Sequence, residues 1–173
     1  MTIKKGSMHL HQAQSFWKCA DIILRSAGEQ ICWLKLPYYY LLHKSSEFVL
    51  KAELELAEKS STHGHDLNLL LKKCSESKIS ISPNFIHIAE ALHHADNIEL
   101  KDENLKDVTR PHALRYPQNL SAHEGEVVFF HSGPNEEAGL NAIKEQLDST
   151  RSKFDSIKNL KSKRNDQNEE VSA

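Results

Sequence analysis

The chain lacks an excess of basic residues, a paired-cysteine pattern and any apolar run long enough to span a bilayer, and each absence removes a class of protein. Lysine and arginine number 22 against 24 aspartates and glutamates, for a formal net charge of -2 and a pI near 6.6. That balance is not the broad positive field of a dedicated nucleic-acid binder, so contact with RNA would rest on a local patch. The three cysteines, Cys19, Cys32 and Cys74, are odd in number and form no C-x-x-C step. They read as buried, reduced thiols of a cytoplasmic protein. Near the start, His9, His11, Gln12 and Gln14 interrupt any apolar stretch, so neither a signal peptide nor a membrane anchor is expected.

What is present is helical periodicity. The 173 residues suit one domain with a single core. The centre of the chain is the stretch 41–74, in which Leu41, Ser45, Phe48, Val49, Ala52 and Leu56 recur at steps of three and four. This predicts an amphipathic helix with Lys44, Glu47, Lys51, Glu55 and Glu58 on its wet face. Leu67, Leu70, Leu71 and Cys74 predict a second helix, joined to the first by a short polar break and therefore antiparallel to it.

An earlier helix is expected from Ala13, Phe16, Trp17, Ala20, Ile23, Leu24 and Ala27, ending at Gly28. A connector of residues 31–36 would follow, with Pro37 in the first turn of the next helix. Ser82 and Pro83 cap and open a helix through Phe85, Ile88, Ala89 and Leu92. A long ordered loop is expected over 96–118, an extended connector at Glu126 to Phe130, and a last helix carrying Leu140, Ile143, Leu147, Phe154, Ile157 and Leu160. Residues 161–173 have no apolar anchor and are expected to be disordered. The fold class is therefore all-α, an up-and-down bundle of four to five helices over 8–160.

The run Lys51-Ala52-Glu53-Leu54-Glu55-Leu56-Ala57, followed by Gly64-His65-Asp66-Leu67-Asn68-Leu69-Leu70 and later by Leu114-Arg115-Tyr116-Pro117, resembles the HEPN family of helical bundles. The likeness spans about 16–116. It implies nucleotide or RNA binding, an association with prokaryotic toxin-antitoxin and defence systems, and a homodimer formed through helical faces. Many HEPN members are ribonucleases with an arginine separated by four to six residues from a histidine. No arginine here has a histidine at that separation; Arg115 and His123 miss it by one. The resemblance therefore implies a non-catalytic or weakly catalytic module.

Two segments carry candidate chemistry. His63-Gly64-His65-Asp66 has three readings: Asp66 caps a helix while His65 packs on the preceding one, the pair shapes a ligand pocket, or it resembles the His-Asp step of metal-dependent HD-type phosphohydrolases. The last would need His43 with Asp96 or Asp102 as further ligands. Arg110-Pro111-His112-Ala113-Leu114-Arg115-Tyr116-Pro117 is stiffened by its prolines, so Arg110, His112, Arg115 and Tyr116 are held at fixed spacing; arginine forks suit phosphate, and tyrosine stacks on a base. The same arginines instead pin the loop to helix carboxylates in a purely structural reading. The ligand-binding set is thus Arg110, His112, Arg115, Tyr116, His65 and Asp66, with a nucleotide, RNA or a protein as partner and no cofactor or metal. Spare apolar surface at Tyr38, Tyr39, Tyr40, Trp33, Phe129 and Phe130 is the expected dimer interface. An antitoxin-like interaction subunit and a metal-dependent phosphohydrolase are the alternative functions.

Overall fold

The computed structural model describes residues 2–27, 31–59, 64–101, 107–111 and 135–170. Among the described residues five helices make a bundle: α1 (Thr2–Ala27), α2 (Ile31–Leu56), α3 (Leu67–Glu76), α4 (Pro83–Asp96) and α5 (Glu136–Glu170). Between α4 and α5 stands a two-stranded antiparallel hairpin, β1 (Asn97–Lys101) with β2 (Asp107–Pro111). Among the described residues no helix is long and apolar enough to cross a membrane.

The bundle is built around α2. Between Leu42 and Glu55 every residue but Phe48 is buried, so neighbours cover the whole circumference of this helix. α1 crosses one side, where the Ser45 hydroxyl donates to the Ala13 carbonyl at 2.9 Å and the Phe16 and Phe48 rings stack. Gly6 lets α1, α2 and α5 approach closely: a Cβ there would lie 2.7 Å from the Phe154 ring and 3.4 Å from Glu55 Cβ. α5 packs against both α1 and α2. Trp17 Nε1–H donates to the Leu140 carbonyl at 2.9 Å, while Tyr38 and Tyr39 send their hydroxyls to Glu136 at the start of α5. Lys35 completes that end with a 3.0 Å ion pair to Glu136.

Helix directions follow from these contacts. α1 is antiparallel to α2, because Gly6 and His9 lie by Glu55 while Ala13 lies by Ser45. α3, however, starts beside Glu47 and leads to Ile79 and Ser80, which share a groove with Glu53, Leu56 and Ala57. It therefore runs in the same sense as α2, not antiparallel to it. α4 then returns, from Ser82 at Gln146 to Asp96 at His43.

Several expectations are corrected. Residues 31–36 are the first turns of α2, not a connector, and Pro37 sits inside the helix. An interior proline costs about 3 kcal/mol through its missing N–H and ring clash. Burial of the adjacent Tyr38 and Tyr39, both anchored to Glu136, offsets it here. Those two tyrosines are core, so they are not the dimer surface; the Trp33 side chain and residues 129–130 lie outside the described residues. The segment after α4 is a hairpin where a long loop was expected. α1 begins at Thr2, ahead of the expected boundary at 8, and α5 continues to Glu170 across the tail expected to be disordered. The sequence 161–170 has no glycine or proline to stop a helix that the core has already nucleated. Leu160 is 65% exposed, and among the described side chains of α5 Phe154 is the last that is buried. The connections at 28–30 and 60–63 and the segment 112–134 are outside the described residues.

Cys74 is buried, and burial followed by the nearby Glu53 carboxylate pushes its thiol up to about 12. Cys19 is exposed, contrary to expectation, because it lies on the outward face of α1. Brief alkylation of the native protein with iodoacetamide should label Cys19 and spare Cys74; peptide mapping by mass spectrometry that finds both modified equally would contradict this packing.

The buried Glu53 carboxylate ties α2 to α5. It accepts from Lys153 Nζ at 2.7 and 2.9 Å, from Thr150 at 2.8 Å and from Gln146 at 3.0 Å. Gln146 in turn accepts the Ser82 N–H that precedes α4. Glu53→Ala should lower unfolding stability by about 2–4 kcal/mol, since three donors lose one buried acceptor; a denaturant midpoint unchanged within error would show the network to be dispensable.

Candidate functional site

The polar groups converge at one corner of the bundle, where the middle of α2, the start of α3 and the end of α4 meet. Asp66 is the N-cap of α3: its backbone is extended and its Oδ1 accepts from Leu69 N–H at 3.0 Å. An aspartate suits this place because its side chain satisfies one of the first amides and its charge opposes the helix dipole. The cap fixes the entry of the chain, and the preceding His65 is thereby laid against α2.

There it meets Glu47, whose side chain has no exposure, with His65 Nδ1 2.7 Å from Oε1. The same carboxylate receives Lys51 Nζ at 2.6 Å and Lys44 Nζ at 2.8 Å. Each ammonium also lies over an aromatic ring, Lys51 Nζ 5.6 Å from the Phe48 centroid and Lys44 Nζ 6.0 Å from that of Tyr40. Lys44, Glu47, Lys51 and Glu55, expected on a wet face, are buried; Glu58 alone of that set is exposed. The reason is that α1 and the start of α3 cover the polar side of α2. Burial by itself raises the Glu47 carboxyl, but hydrogen bonds from Lys44 and Lys51, the Lys44 charge and the His65 bond outweigh it, bringing the group from an ordinary 4.5 down to about 2.

Two further pairs flank the cluster. His93 of α4 places Nδ1 3.4 Å from Asp66 Oδ1, and the buried His43 and Asp96 approach to 3.6 Å, linking α2 to the last residue of α4. The hairpin starts at the next residue. In its register Asn97 pairs with Pro111 and Ile98 with Arg110, so β2 brings the backbone of Arg110 back to this corner.

Of the sequence-derived residues, the structure places His65 and Asp66 together against α2 and α4, and sets the backbone of Arg110 opposite Ile98, just beyond the end of α4. Residues 112–134, hence His112, Arg115 and Tyr116, lie outside the described residues. The groups required by the HD-type reading are divided among three pairings, His65 with Glu47, Asp66 with His93, and His43 with Asp96. Among the described residues no group of three or more histidine, cysteine, aspartate and glutamate side chains is arranged to hold a metal ion. Sequence reading missed Lys44, Glu47, Lys51 and His93. The signal available was the spacing of Lys44, Glu47 and Lys51 at three and four residues, which puts them on one helix face but does not say that the face is covered.

Compared with known proteins, the chain matches no family model, no curated protein and no solved structure.

The depressed Glu47 carboxyl sets an acid limit. Because its folded value lies below the unfolded one, its stabilisation is complete above about 4.5 and is lost as pH falls through that value toward about 2. The shift corresponds to a few kcal/mol, on the order of 1.4 per unit. Thermal melts from neutral pH downward should show stability falling across this window, with Glu47→Gln destabilised at pH 7 and its fall in the same window reduced. A variant whose acid profile parallels the wild type would remove Glu47 from this role.

Proposed function

We propose that the protein is a HEPN-like helical module that binds a phosphate-bearing ligand, a nucleotide or RNA, without cleaving it. The observation that carries this reading is the corner itself. Gly64-His65-Asp66-Leu67, the most motif-like part of the resemblance, opens α3 against a buried Lys44–Glu47–Lys51 cluster, and the hairpin register returns Arg110 to the same end of α4. Histidine, lysine and arginine are donor types that phosphate oxygens take. The segment from Arg110 through His112, Arg115 and Tyr116 supplies the remaining contacts in this reading, with Tyr116 available to stack on a base. The missing Arg-to-His spacing supports binding without hydrolysis. Any homodimer would use surfaces other than Tyr38 and Tyr39.

Titration with mononucleotides and a short single-stranded RNA at two salt concentrations tests it. Binding should weaken with salt, and Arg110→Ala and Arg115→Ala should each reduce affinity by about 1 kcal/mol or more, roughly five- to tenfold. Single-stranded RNA should survive equally with the wild type and with an Arg115→Ala, His123→Ala double variant. Absence of binding to every ligand would place the chain with pure interaction subunits instead.

A further inference from the structure

We propose that the start of α1 and the far half of α5 form a surface for the phosphodiester backbone of a single RNA strand, and that a cleft between the two helices seats one phosphate group. This surface shares no residue with the corner of α2, α3 and α4, so it stands or falls independently of the reading above.

The first argument is the fold. α1 and α5 run antiparallel, since Trp17 meets Leu140 and Gly6 meets Phe154. Two basic runs far apart in sequence are thereby brought to the same end of the bundle. From Thr2 to Ala20 α1 carries Lys4 and Lys5 near its start, Lys18 further on, and no acid. From Ser156 to Asn165 α5 carries Lys158, Lys161, Lys163 and Arg164, again with no acid. The next acids on α5 begin with Asp166, about 16 Å along the axis from Asp155 at 1.5 Å per residue. A near-neutral chain thus has the local patch that its overall charge does not provide.

The second argument is the cleft. Between the helices lies a cavity of about 180 Å³, bordered by Ser7, His11 and Gln14 of α1 and by Arg151, Asp155 and Lys158 of α5. Pockets that enclose a whole drug-sized ligand begin at roughly 300 Å³, so this one suits a single group whose remainder stays outside. Gln14 Oε1 accepts one Arg151 N–H, which orients the guanidinium and leaves its other N–H groups for a ligand. Among the described residues neither Arg151 nor Lys158 has a carboxylate within ion-pair distance. Asp155 is the one carboxylate bordering the cavity, so two fixed positive charges face one negative even with His11 neutral. A guanidinium fork, an ammonium and a hydroxyl are donors that phosphate oxygens take. Phe154 borders the same cavity but is buried, so no base stacks on it and the phosphates alone are read. A strand fits better than an isolated phosphate because the basic runs continue beyond the cavity. A bilayer fits less well, because its phosphates lie in a plane and Arg151 and Lys158 flank a concavity.

Fluorescence anisotropy of the full chain with a labelled short single-stranded RNA, at two salt concentrations, tests the surface. Strands of different base composition should bind alike. Replacing both exposed cations, Arg151→Gln with Lys158→Gln, should weaken binding fivefold or more and lower the log–log salt slope by about one to one and a half, at about 0.7 per phosphate contact on a single strand. Asp155→Asn should tighten binding severalfold, a gain that damage to the fold would not produce. Lys144→Gln, which removes an exposed cation of α5 already paired with Asp148, should leave affinity within twofold. Absence of RNA binding, binding indifferent to the Arg151 and Lys158 pair, or capture by phosphatidylserine vesicles in place of RNA overturns the proposal. Weakening by the Arg151 and Lys158 pair but not by Arg110→Ala or Arg115→Ala keeps this surface and removes those arginines from ligand binding. The opposite pattern removes this surface and keeps them.

Discussion

The Glu47 carboxylate is the interaction on which the rest of this structure depends. α2 passes through the bundle with its whole circumference covered, and a helix in that position is ordinarily apolar all round. Here its covered face carries Lys44, Glu47 and Lys51, so the packing of α1 and α3 is tolerable only because one carboxylate collects donors from both lysines and from His65. Removing one partner of such a set leaves a buried charge without compensation, which costs more than the set contributes when intact. The cluster is therefore better understood as fixing which faces meet than as adding stability.

That constraint explains the place of α3. A helix joined by a short polar break would pack antiparallel to α2 if its apolar stripe alone were to be buried. Instead His65 is drawn back to Glu47, a distance of more than two helical turns from the end of α2, and α3 runs in the same sense as its predecessor. Asp66 then serves two helices, capping α3 and facing His93 at the end of α4. α4 is in turn held at its start by Ser82, whose amide reaches Gln146, and at its end by the approach of Asp96 to His43. Polar contacts thus set both ends of α4, while Phe85, Ile88, Ala89 and Leu92 fill the space between.

His65 is held through Nδ1 by a buried carboxylate and is half exposed, with two lysines behind it and the Asp66 carboxylate beside it. A local arrangement of this kind escapes any reading of net charge, since a few paired charges scarcely alter the total.

Local signals were enough for the helical class, for the cap at Asp66, for Ser82 with Pro83 opening α4, and for the core positions Leu67, Leu70, Phe85, Leu92, Leu140 and Ile143, because periodicity and capping act within a few residues. His65 and Asp66 were legible as candidates for the same reason, as part of a short motif at a helix start. Only the tertiary structure decided that Lys44, Glu47 and Lys51 are inside, that Tyr38 and Tyr39 are core, and that the segment after α4 turns back as a hairpin. An amphipathic pattern tells which face of a helix is polar, but not whether another helix covers it; that depends on partners distant in sequence, here Ala13 on α1, His65 before α3 and Glu136 on α5, whose side chains and carbonyls satisfy the buried groups of α2.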